Sequence, residues 1–132
     1  MARVFAGIAS GFVVSILLIM AIQQLGHLIY PPPEGVDMRD PDALTAMMKS
    51  LPLGSKLFVI GAWFTGVLAG GYVAGRIARR VWAAWTIAGV TIIFAILNFM
   101  MIPHPIWMIA GGLVLIVLAG WLAGRLSGAK AA

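Results

Sequence analysis

The sequence contains no cysteine. Disulfides, thiolate nucleophiles and cysteine-ligated metal or cluster sites are therefore excluded. Charge is scarce too: only 10% of residues are Asp, Glu, Lys or Arg, against roughly 25% in an ordinary soluble domain. Acids number just 4, all in one stretch as Glu34, Asp37, Asp40 and Asp42. Every long apolar run therefore lacks a carboxylate, and acid–base chemistry inside those runs has no side chain to use. The runs also lack the apolar–polar alternation of barrel strands. Uncharged stretches of this kind point to helices that satisfy their own backbone in lipid.

What the chain does have is apolar length. Hydrophobic residues make up 62% of it and mean hydropathy is +1.04. A spanning helix needs about 20 mostly apolar residues, and the segments 4–29, 53–75, 81–102 and 106–124 meet this. Each ends at a physical stop. Pro31-Pro32-Pro33 closes the first, because proline removes a donor and forbids continuation. Arg76, Arg79 and Arg80 follow the second, and Pro103-His104-Pro105 forms a short turn after the third. The first run is longer than a signal-peptide core of about 7–15 residues and has no Ala-x-Ala-like site, so it is expected to remain as an anchor. The expected fold is an all-α integral membrane protein, one membrane domain over 1–132. Its four transmembrane helices form two antiparallel hairpins, with an outer loop at 31–52 and a tail at 125–132. Within the loop, Asp40-Pro41 reads as an N-cap followed by proline at the first helical position. Ala43, Leu44, Met47, Met48 and Leu51 then recur at helical spacing, which predicts a short amphipathic helix serving as a lid on the helix ends.

The net charge of +5 does not imply nucleic acid. Its positive residues are scattered at segment ends, where they suit lipid headgroups. Arg3, Arg76, Arg79, Arg80, Arg125 and Lys130 fall on one side, while Arg39, Lys49, Lys56 and all the acids fall on the other. The positive-inside rule puts both termini in the cytoplasm, and a bacterial inner membrane is the expected location. Trp82, Trp85 and Trp107 are placed at headgroup level, Trp63 and Trp121 among deeper packing residues.

Small residues at spacing four permit close helix approach in lipid. They occur as Gly7 with Gly11, Gly120 with Gly124, Gly71 with Gly75, and the row Ala62, Gly66, Gly70, Ala74. That row makes the second span the central packing helix. Four helices offer few interior faces, so a homo-oligomer or a membrane-protein partner is expected beside membrane lipids. Gly71-Tyr72-Val73-Ala74-Gly75-Arg76 is echoed by Gly120-Trp121-Leu122-Ala123-Gly124-Arg125. Duplication of a hairpin is favoured over convergence as its origin.

The candidate site is polar. Gln23, Gln24 and His27 sit near the end of the first span, Asn98 at similar depth in the third, and His104 in the turn beyond. Amides and imidazoles in apolar surroundings need partners. Gln23 is turned roughly 160° from Gly7 about the helix axis, so the first span serves two interfaces. Hydrogen bonds that fix helix register are the favoured reading, followed by a binding site or pore mouth. A metal held by His27 and His104 with Glu34 or Asp37 is disfavoured, because the spacing matches no metal motif. No cofactor is indicated. Ser10 and Ser15 lie far from either histidine, so catalysis is not expected.

In size and helix number the chain is similar to small multidrug-resistance transporters, yet it has no glutamate in its first span to couple protons. It is also comparable in size to fluoride channels, which insert in both orientations, whereas the charge asymmetry here enforces one. The expected function is non-enzymatic: a structural, accessory, lipid-binding or partner-binding protein. The alternative is a passive channel or carrier passing Gln23, His27 and Asn98.

Overall fold

The computed structural model describes residues 2–31, 35, 37, 39–102 and 104–129. Those residues form five α-helices and no strand: α1 Ala2–Ile29, α2 Pro41–Ser50, α3 Leu53–Ala78, α4 Val81–Met101 and α5 Ile106–Leu126. All but α2 are long and apolar enough to cross a membrane. Even the shortest of them, at 21 residues, extends about 31 Å, the thickness of a hydrocarbon core. Large apolar side chains such as Leu17, Leu28, Ile93, Met100 and Val114 stand exposed on their outer faces.

The helix ends follow local chemistry. The Asp40 carboxylate accepts from the Asp42 N–H at 3.0 Å and Pro41 opens α2, which supplies one acceptor to donors that the first turn leaves free. Leu44 and Met48 of α2 are buried. The expected span 53–75 lies within α3, which continues to Ala78. Arginine is a good helix former, and its charge does not interrupt the backbone. The stop is Arg79, which turns left-handed at φ 58° while its N–H donates to the Gly75 carbonyl at 2.8 Å. Only Arg79 and Arg80 join α3 to α4.

α3 is central, touching α1, α4 and α5. Its small residues serve two neighbours. Gly66 and Gly70 face α1, and a Cβ on Gly70 would strike the Gly11 carbonyl, as one on Gly11 would strike that of Gly70. A Cβ on Gly7 would lie 2.8 Å from the Ala74 oxygen. The neighbouring row faces α5: a Cβ on Gly71 would come within 2.9 Å of Ala123, and one on Gly75 within 2.7 Å of the Ser127 hydroxyl. α5 in turn presents Gly120 to Ala88 and Gly124 to Val81 of α4. Ala62, also expected to pack, is fully buried. The glycine contacts thus lie within one chain, where van der Waals approach holds helices together without a hydrophobic drive.

Trp63 is buried as expected, 6% exposed, and meets Phe99 edge-on at 5.5 Å. Trp121 is a correction. It is 47% exposed because the buried row of α5 runs through Gly112, Ile116, Ala119 and Ala123, and Trp121 falls off that row. Its ring carries the Arg125 guanidinium at 5.1 Å instead, a cation–π contact.

Candidate functional site: a cleft between the first and fourth helices

α1 and α4 touch near the arginine-bearing end and part toward the end that carries α2. Near the arginines, Val4, Ile8 and Phe12 of α1 pack on a cluster that includes Ala83 and Ile87 of α4. Beyond Phe12 a groove of about 400 Å³ opens between them, walled by Ile16, Ile19 and Met20 on one side and Thr91, Phe94 and Ala95 on the other, with Trp63 also in its wall. Thr91 adds little polarity, since its hydroxyl donates to the Ile87 carbonyl at 2.9 Å. Gln23 and Asn98 close the α2 end of this groove.

The same two amides also line a second cavity of about 530 Å³. His27 and Tyr30 of the first helix and its end, Ser55 and Lys56 of α3, and His104 complete its polar lining. Met47, Met48 and Leu51, in and just after α2, form an apolar wall with Val59, Ile102 and Met108. Four of the five sequence-predicted polar residues therefore share one cavity: Gln23, His27, Asn98 and His104. Gln24 is exposed and does not line it, being one residue, or 100°, around the helix from Gln23.

The favoured reading of direct hydrogen bonds between helices does not hold. Among the described residues, no hydrogen bond joins Gln23, His27 and Asn98. Gln23 and His27 lie on α1 and Asn98 on α4, across the gap between those helices, and all three line the open volume. His104 is held locally. Its Nδ1 donates to the Ile102 carbonyl at 2.6 Å, the carbonyl being able only to accept, and its ring meets Phe99 edge-on at 5.0 Å. Burial holds its pKa below the ordinary 6.5, partly offset by that backbone bond. The ring is thus neutral near pH 7, with Nε2 an acceptor.

Among the described residues, no group of three His, Asp or Glu gathers for a metal. Glu34, one of the two acids considered for such a site, lies outside the described residues. The Asp37 carboxylate accepts from the Arg39 N–H at 2.9 Å. At the opposite end, Arg3 is exposed, and Arg76 donates to the Ser127 carbonyl at 3.4 Å. Lys130, the last expected anchor, lies outside the described residues.

Sequence reasoning missed Tyr30, Ser55 and Lys56. Lys56 was counted only as a charge for topology, yet its place in the first turn after Pro52 was a usable signal. The Tyr30 ring lies over Gly54 and meets Phe58 edge-on at 6.1 Å, so a glycine two residues from Lys56 seats it.

No known protein family, curated protein or solved structure matches this chain. Its function therefore rests on the site itself.

Proposed function

We propose that this chain is a membrane-embedded binding protein that admits an amphiphile sideways between α1 and α4. Its apolar chain lies in the groove and its polar end in the adjoining cavity. The single observation that carries this reading is the adjacency of the two volumes: Gln23 and Asn98 line both, while His27, Lys56 and His104 line only the one beside α2. Each volume is of the size that small-ligand sites use, roughly 300–1,000 Å³. An open flank on lipid suits a ligand that never leaves the bilayer.

In this reading the four long helices cross as two antiparallel hairpins, the arginine end is cytoplasmic, and α2 lies on the outer surface with its apolar stripe inward. The charge bias supports the orientation. The glycine ridges pack within the chain, and the expected second copy or membrane-protein partner would meet its exposed outer faces. Close packing of Val4, Ile8 and Phe12 against α3 and α4 argues against a through-path, and binding is favoured over flux or catalysis.

Crosslinking from two positions tests this. Phe94 and Ile93 are exposed to nearly the same degree, 55% and 60%, but only Phe94 lines the groove. A benzophenone side chain at each, irradiated in bilayers, is expected to give a lipid adduct at Phe94 several times more often than at Ile93. Equal adduct yields would defeat the proposal, because both positions would then see only bulk lipid.

A further inference from the structure

The described walls of the larger cavity are one-sided in charge. Among its described lining residues the ammonium of Lys56 is the formal charge, and no carboxylate is present. Of the described loop acids, Asp37 and Asp40 are exposed and accept from the backbone N–H groups of Arg39 and Asp42. The remaining polar lining can donate through two amides and the hydroxyls of Tyr30 and Ser55, and it also holds His27 and the His104 Nε2 acceptor. α3 and α5 begin at this end of the molecule, after Pro52 and Pro105, and the positive ends of helix dipoles favour negative charge nearby. The lining residues Ser55, Lys56 and Met108, however, give their own N–H groups to the Pro52 and Pro105 carbonyls.

We infer that the polar end bound here is the anionic, phosphate-bearing headgroup of a lipid, paired with Lys56 between the amides of Gln23 and Asn98. The inference rests on the cleft reading above and adds the sign of the ligand. A zwitterionic headgroup would bring a cation that finds no described carboxylate in the wall, so it loses to a purely anionic one. A soluble phosphate would leave the apolar groove empty and forgo that part of the contact.

Native mass spectrometry of the full chain released from an uncharged detergent tests this, with phosphatidylglycerol, phosphatidylcholine and inorganic phosphate as probes. Phosphatidylglycerol is expected to be retained about tenfold more tightly than phosphatidylcholine, the value of one charge-assisted contact. Lys56→Gln should remove that preference and leave phosphatidylcholine unchanged, while Lys56→Arg keeps it. Lys49→Gln, at an exposed position outside the lining, should change neither. Equal retention of the two lipids overturns the charge assignment while the cleft survives. Displacement of phosphatidylglycerol by millimolar inorganic phosphate overturns the lipid assignment in favour of a soluble anion. Failure to retain either lipid overturns the cleft reading itself. Helical circular dichroism of each variant confirms that losses are not unfolding.

Discussion

The two ends of this molecule are built by opposite rules. Toward the arginines, backbones meet backbones, and Gly7, Gly11, Gly70, Gly71, Gly75, Gly120 and Gly124 all have neighbours where a Cβ would go. Toward α2, a close contact of Gly26 with Phe58 persists between α1 and α3, but α1 and α4 leave an open volume in which Gln23, His27, Asn98 and His104 stand among methionines and aliphatic side chains. The difference teaches where each residue class acts in a bilayer. Small residues locate contact, because attraction between rods in lipid depends on close approach. Polar residues with no partner locate space, because a packed apolar site could not hold them.

The contrast can be broken at several points. The largest effect is expected at the crossing of α1 and α3. Gly11→Leu meets the Gly70 carbonyl and cannot be relieved by moving a side chain, so it should cost about 3 kcal/mol, the upper range of overpacking, in reversible unfolding from mixed micelles. A neutral result would mean that the crossing is loose. Asn98→Leu, at the opposite end, should cost under about 1 kcal/mol because no interhelical bond is lost, yet it should weaken retention of lipid. A large loss of stability there would restore a register-fixing role for Asn98.

A third test is pH. Burial holds His104 below 6.5, so just under that pH the folded chain binds fewer protons than the unfolded one. Stability should therefore fall as pH drops below about 6.5, and level off once the folded form is protonated too. His104→Gln should flatten that part of the thermal-denaturation profile. An unchanged slope would place the burden elsewhere.

Two smaller effects sharpen the contrast. Arg79 adopts φ 58°, and a left-handed conformation costs a non-glycine residue about 1–2 kcal/mol, so Arg79→Gly should raise the midpoint of thermal unfolding modestly. Gly89 and Gly111 have nothing within reach of a Cβ. Alanine at either should therefore be neutral or gain up to about 1 kcal/mol of helix propensity, unlike any glycine of the crossing.

The sequence made the rods legible because its stops are chemical. Prolines and the Asp40 cap mark ends that any context respects, and α2 begins where Asp40-Pro41 indicates. The end of α3 was less legible, since a left-handed arginine carries no sequence mark of its own. The candidate site was half legible. Depth counted from the prolines brought Gln23, His27, Asn98 and His104 to one level, and the structure places them around one cavity. Whether they would touch depended on the divergence of α1 from α4, which no local pattern encodes. Lys56 was hidden for a related reason: a residue used to count charge gives no hint of which cavity it faces. Trp121 misled because depth along a helix says nothing about its face.

The groove between α1 and α4 also has a length. From Phe12 to Gln23 its wall rises about 16 Å at 1.5 Å per residue, close to half of a hydrocarbon core about 30 Å thick. In the proposed reading a molecule lying in it belongs to a single leaflet, the one on the side of α2. A protein that binds in this way would be asymmetric toward its own solvent, sampling one face of the bilayer and not the other.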